Sequence, residues 1–181
     1  YGLGVEQVAA GLADAGCEHF FVATLPEAIE LRQLMTSQFI YVFDGVQKDE
    51  AEAFLGFNLI PVLNDWDQLA EWEQAVKGKS AAPAVLHVDT GMNRLGFTKD
   101  DAEKLAMEPE RVAACHLKMV MSHLACADTP AHPLNSIQRD NFNHIRKCFP
   151  MLAGSLANSA GIFLNSHFHH DMGRPGCALY G

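Results

Sequence analysis

Apolar and polar positions along this chain repeat with two different periods, and the switches between them mark out its elements. Short β-like runs, the first five rich in Val, Ile, Leu, Met or aromatic residues, occupy residues 18–24, 39–44, 59–63, 83–90, 118–124, 155–159 and 171–176. Each has strand length, and most are bounded by turn residues. Between them the spacing becomes helical. Over residues 4–16, Val5, Val8, Ala9, Leu12 and Ala15 fall on one helix face. Pro26 follows Thr24 and opens a helix to residue 34, where a missing N–H costs nothing in the first turn. Asn64 and Thr98 read as caps of helices over 64–76 and 98–107, the second with an acidic first turn. Residues 133–148 carry Leu134, Ile137, Phe142 and Ile145 as an apolar stripe.

Strands alternating with helices imply parallel strands joined by right-handed crossovers. Seven strand signals in 181 residues exceed what most open sheets of this length hold. They fall one short of an eight-stranded barrel, whose usual length is about 250 residues. The expected fold is therefore α/β, a (β/α)8 TIM barrel lacking its first strand and the end of the barrel. The first element is a helix, so the missing strand is expected just before Tyr1. The runs at 18–24 and 171–176 would then be unpaired edges, which predicts self-association of the isolated chain.

Composition narrows the function classes. Apolar residues make up 49% and charged residues 19% of the chain, an ordinary globular balance. A net charge of −9 argues against a nucleic-acid or anionic-membrane partner. No apolar run approaches the roughly 20 residues of a membrane helix. Cys17, Cys115, Cys126, Cys148 and Cys177 are scattered without a C-x-x-C pair, as expected of reduced thiols in a cytoplasmic protein. The chain begins without Met and both ends lie inside motif-like stretches, so a fragment is expected.

In such barrels the chemistry sits where strands end and loops begin. Four stretches fall there: Asp89 to Arg94, Ser122-His123, Asn158-Ser159-Ala160-Gly161, and Arg174-Pro175-Gly176-Cys177. Taken singly, Arg94 reads as a solvated loop cation, His123 as a satisfied half-buried histidine, Asn158-Ser159 as a helix cap and Arg174-Pro175-Gly176 as a turn. Together they converge on one end of one barrel with donors suited to a phosphorylated anion. A Ser hydroxyl at a helix start and N–H groups around a glycine form a phosphate cradle. Barrels often build that cradle after their last two strands, where Ser159, Gly176 and Cys177 fall. The run His167-Phe168-His169-His170-Asp171 superficially has the spacing of a metal site. It lacks a matching carboxylate and histidine set elsewhere and precedes a strand signal, so a solvated loop is expected and no metal.

These residues also carry a family resemblance along the whole chain, 1–181. Tyr1-Gly2-Leu3-Gly4, the stretch from His87 to Gly96, Met121 to Ala125 with Asp128, Leu156 to Gly161, and Arg174 to Gly181 resemble, in order, the motifs of alanine racemases. The resemblance implies the N-terminal barrel domain, with a C-terminal β-domain absent, of a pyridoxal-phosphate-dependent enzyme of fold type III. Such an enzyme interconverts L- and D-alanine as a cytoplasmic homodimer. It further implies that Tyr1, Ser159 and the N–H groups of Gly176 and Cys177 hold the cofactor phosphate, with Asn158 shaping the cradle. Arg94 would bind the substrate carboxylate and the phenolic oxygen. Arg174 would face the pyridine nitrogen with His123 hydrogen-bonded behind it.

The family's two bases, a cofactor lysine shortly before the Tyr1 position and a tyrosine of the partner's β-domain, match no residue here. The fragment is therefore expected to be inactive by itself. His87 stands where some members carry a carbamylated lysine, so Arg94 is expected to be oriented by His87, an ion or water. The alternative is a non-catalytic pyridoxal-phosphate-binding barrel of the cofactor-homeostasis type, which would not be expected to carry the loop from Asp89 to Gly96. A barrel decarboxylase would carry an acid at position 174.

Overall fold

The computed structural model describes residues 3–79 and 82–181. Six strands, β1 (His19–Val22), β2 (Phe39–Val42), β3 (Ile60–Leu63), β4 (Ala84–His87), β5 (Leu117–Met121) and β6 (Ala153–Ser155), pair in sequence order. Every pairing is parallel, for example Phe21 with Tyr41 and Met121 with Ser155. The helices are α1 (Val5–Asp14), α2 (Leu25–Leu34), α3 (Ala51–Gly56), α4 (Trp66–Val76), α5 (Lys99–Ala106), α6 (Pro109–Ala114), α7 (Pro133–Cys148) and α8 (Ser159–Leu164). The result is an open half-barrel, with no closing pair between β1 and β6 among the described residues.

Strand alternation sorts the side chains into two cores. Ile40, Val42, Leu63, Leu86 and Val120 point outward to pack with Ala28, Phe54, Trp72 and Phe142 of the helix layer. Tyr41, Ile60, Val62, Val85, Met119 and Met121 form a second cluster on the inner face. Caps set where the helices start. Thr24 and Glu27 form a reciprocal capping box ahead of α2, and the Thr98 hydroxyl accepts from Asp101 N to start α5.

Three expectations are corrected. The seventh run, 171–176, is not a strand. It holds a single parallel bridge between Asn158 and Arg174, because Pro175 has no N–H and glycines flank the pair. The open edge on that side is therefore β6. Asn64 does not cap α4; Asp65 does, accepting from Gln68 N at 2.8 Å. The histidine run is not a solvated loop throughout. It passes through a 3-10 turn, Ser166–Phe168, whose Phe168 is buried. There the His169 Nε2 meets the Ile162 carbonyl and the His170 ring packs edge-on against Phe142. Helices α3 and α6, six residues each, were not anticipated. Among the described residues, no helix is long and apolar enough to cross a membrane.

Candidate functional site

The C-terminal strand ends carry a ring of polar side chains above the apolar inner cluster. Asn64 follows β3, His87 ends β4, His123 follows β5, Ser155 ends β6 and Arg174 follows from the bridge. A cleft of about 1350 Å³ opens beside this ring, between β1 and α1 on one side and the segment 172–177 on the other. His123, Asn158, Ser159, Arg174 and Gly176 line it.

Arg174 is buried at 8% exposure without a carboxylate partner among the described residues. Its Nη1 donates to Ser155 Oγ and its Nη2 to the Ser122 carbonyl, with a longer contact from Nη2 to Leu156 O at 3.5 Å. Its Nε is buried with no partner. Burial lowers its pKa to about 10, which leaves it protonated at neutral pH. An orphaned buried donor is costly unless something accepts from it. This atom therefore points to an acceptor supplied by a ligand.

The expected hydrogen bond between Arg174, as donor, and His123 is not formed. The Ser122 carbonyl takes that place, one residue earlier in the chain. Burial, then the charges of Arg174 and Arg94, lower the His123 pKa to about 4, so the ring is neutral. His87 is lowered to about 3 by burial first and by Arg174 next. Its Nδ1 lies 2.7 Å from Asn64 Oδ1. Asn64 in turn donates to the carbonyls of Phe43 and Val62, both at 2.9 Å, and contacts Gln68 Oε1.

Arg94 sits on the loop between β4 and α5 and is exposed; Met92, not Arg94, reaches the cleft. Asp89 shapes that loop, its Oδ1 accepting from Gly91 N, Met92 N and Asn93 N at 2.9, 2.8 and 3.1 Å. Loop and strand close on each other through Phe97 N to His87 O and Asp89 N to Phe97 O. A side chain at Gly96, φ +109°, would strike the backbone of Asp89 at 2.8 Å.

Asn158 caps α8, its Oδ1 accepting from Gly161 N at 2.9 Å, and its Nδ2 reaches Leu124 O. The buried Ser159 Oγ accepts from Gly176 N at 2.8 Å and from Ala178 N at 3.2 Å. Two chain segments thus meet at one hydroxyl where a phosphate is expected. Cys177 is exposed at the start of a 3-10 turn, Cys177–Leu179. Tyr1 lies outside the described residues. Sequence reasoning placed Thr90 inside a candidate stretch without a role of its own, took Asn64 only for a helix cap, and did not single out Gln68, Ser155 and Gln138. Asn64 carried a further signal, as the polar third member of the inward alternation Ile60, Val62, Asn64.

Residues 1–181 match the family described as "Alanine racemase, N-terminal domain". The chain is 44% identical over 181 residues to an alanine racemase of Rhizobium meliloti (strain 1021), covering all of this chain and 48% of that protein. It is 45% identical over 183 residues to a catabolic alanine racemase of Mesorhizobium japonicum, again covering all of this chain and 48% of the relative. Among solved structures, alanine racemase from Bartonella henselae with covalently bound pyridoxal phosphate superposes with a TM-score of 0.95. That match has 37% identity and covers 100% of this chain and 53% of the other. The chain spans about half the length of the curated relatives it matches.

Proposed function

The chain belongs to the alanine racemase N-terminal domain family, and from that premise we propose that it is the cofactor-binding barrel of an enzyme interconverting L- and D-alanine. Its cofactor is pyridoxal phosphate, and residues 1–181 form the barrel domain. The single observation that carries the assignment is the unpartnered, buried Nε of Arg174 beside the cleft. A pyridine nitrogen is an acceptor of the kind this donor lacks. The cleft's other wall fits as well: Ser159 Oγ, which accepts from Gly176 N and Ala178 N, keeps its own proton to donate to a phosphate.

When bound, pyridoxal phosphate supplies a ring that withdraws electrons from an amino acid's α-carbon and so acidifies its α-proton. Arg174 sets how far that withdrawal goes. A guanidinium with a pKa of about 10 donates a hydrogen bond at neutral pH yet withholds its proton, which leaves the pyridine nitrogen unprotonated. Plain removal and return of the α-proton is then favoured over transamination. Ser155 and the Ser122 carbonyl hold the guanidinium in place.

Ser159, the N–H groups of Gly176 and Cys177, and Tyr1 fix the phosphate end, and Asn158 fixes the helix start beside it. Arg94 receives the substrate carboxylate. Two neutral histidines, His87 and His123, keep this basic end from accumulating further charge. The proton-transferring lysine and tyrosine of the family fall outside residues 1–181. The same reading carries a homodimer with no nucleic-acid or membrane partner. A cytoplasmic compartment agrees with five free cysteines.

The test is a titration of the full-length protein with pyridoxal phosphate, followed by circular dichroism of L-alanine. Saturable binding, loss of optical activity, and weakening of both in Arg174→Met are expected. Binding without racemisation would turn the assignment to a cofactor-homeostasis barrel. Absence of both would overturn it.

A further inference from the structure

Gln138 lies on the packed face of α7, one helical turn from Leu134 and Phe142, at a position where an apolar residue would be ordinary. It is fully buried. Its Oε1 accepts from Ala125 N at 2.9 Å, and its Nε2 donates to the His123 carbonyl at 2.8 Å and to Thr90 Oγ1 at 3.4 Å. An N–H on one side and a carbonyl on the other admit one amide orientation only. Every atom of that amide which can bond does so.

The contacts extend further. Thr90 Oγ1 meets Ser122 Oγ at 2.8 Å, and Asn141, on the next turn of α7, donates to the Thr90 carbonyl at 3.1 Å. Gly91 packs against the Gln138 and Leu134 side chains, where an added Cβ would come within 3.3 Å of both. Ser122 supplies the carbonyl that holds Arg174. One helix side chain therefore joins the loop after β4 to the loop after β5, and both lead to cationic groups.

We propose that Gln138 is a positioning residue that fixes the loop of Arg94, the backbone at His123 and, through Ser122, the Arg174 guanidinium relative to one another. The consequence for the cofactor rests on the function proposed above; the geometric consequence for Arg174 does not. Removing the amide frees the two loops to shift independently. Arg174 then loses the carbonyl that sets its plane, and its Nε no longer meets an acceptor fixed by the phosphate end.

The experiment uses the full-length protein with Gln138→Leu, Gln138→Glu and Thr90→Val. In the cofactor-free state, the side-chain Nε–H signal of Arg174 is followed by NMR for shift and hydrogen exchange. That of Arg32 is the control, since it is held by four backbone carbonyls elsewhere in the fold. Arg174 exchange is expected to accelerate about tenfold while Arg32 is unchanged, and pyridoxal-phosphate affinity to fall by about the same factor. Thr90→Val keeps the Ala125 and His123 bonds and should move Arg174 less. If Gln138→Leu does not fold, Gln138→Glu and Thr90→Val decide, because Glu keeps the acceptor for Ala125 and loses the donor. Equal responses of Arg174 and Arg32 with wild-type affinity would mean a purely structural glutamine and overturn the proposal. Failure of the wild type to bind cofactor would count against the proposed function, while the Arg174 signal would still decide the role of Gln138.

Discussion

His87 Nδ1 donates to Asn64 Oδ1 at 2.7 Å, and this bond fixes the tautomer of a buried imidazole. Asn64 uses its Nδ2 on two backbone carbonyls, so its oxygen must face the ring. His87 therefore carries its proton on Nδ1 and keeps a lone pair on Nε2. The residue at this position is a neutral acceptor held from behind.

That neutrality makes stability depend on pH. Burial and Arg174 lower the His87 pKa to about 3, whereas an unfolded histidine titrates near about 6.5. Between these values the unfolded state binds the proton and the folded state does not. The stabilisation is therefore complete above about pH 6.5 and is lost as pH falls toward about 3, with a slope approaching about 1.4 kcal/mol per unit. Urea unfolding at about pH 7.5, 6 and 5 should show a slope shallower by about one proton in His87→Gln. Identical slopes would mean that His87 takes up a proton without unfolding.

Arg174→Glu replaces a donor that keeps its proton with one that can hand it over. A carboxyl in that buried place is itself driven toward the protonated form by desolvation. In the full-length protein, pyridoxamine phosphate formed per racemisation event should rise several-fold. An unchanged ratio would remove the electronic role assigned to Arg174.

Ser159→Ala deletes the oxygen that Gly176 N and Ala178 N share. Affinity for pyridoxal phosphate should fall about tenfold, while affinity for pyridoxal, which lacks the phosphate, changes little. Equal losses for both compounds would indicate a collapsed loop rather than a lost phosphate contact.

Two glycines should respond with opposite sign to alanine. Gly96 has φ +109°, and an added Cβ would meet backbone atoms of Asp89, Val88 and His87 at 2.8 to 3.1 Å, so Gly96→Ala should cost about 2 kcal/mol or more. Gly11, inside α1, has open space around it, and Gly11→Ala should stabilise by about 0.5–1 kcal/mol. Thermal unfolding of the two variants compares them directly.

The elements were legible where local chemistry had one solution. Thr98 sits before a helical pattern and caps it as the sequence implies, and Thr24, just ahead of the Pro26 helix, caps as well. Asn64 was misread because it and Asp65 are both good caps and only the inward alternation of β3 distinguishes them. The 171–176 run, with Met172 as its one apolar residue, lies where the alternation of strands and helices calls for a strand, but Pro175 and the glycines on either side leave it a single bridge. The helices α3 and α6 are too short to show a period. In the site, Arg174, Ser159 and His123 were legible in the sequence because loops at strand ends are predictable in parallel sheets. Their connections could not. A buried glutamine such as Gln138 looks, in sequence, like any solvated helix residue, and which acceptor Arg174 meets, the Ser122 carbonyl rather than the His123 ring, is set by three-dimensional register alone.

Asp89 collects three successive backbone N–H groups on one carboxylate oxygen. The loop that presents Arg94 has therefore already given up its conformational freedom when the chain folds. Capture of a carboxylate there should show little ordering entropy in calorimetry, since the backbone is already fixed and the exposed Arg94 side chain is what has rotamers left to lose on contact. Selectivity at this position would then arise from a shape fixed in advance, and competing acids too large for it would be rejected at encounter rather than accommodated.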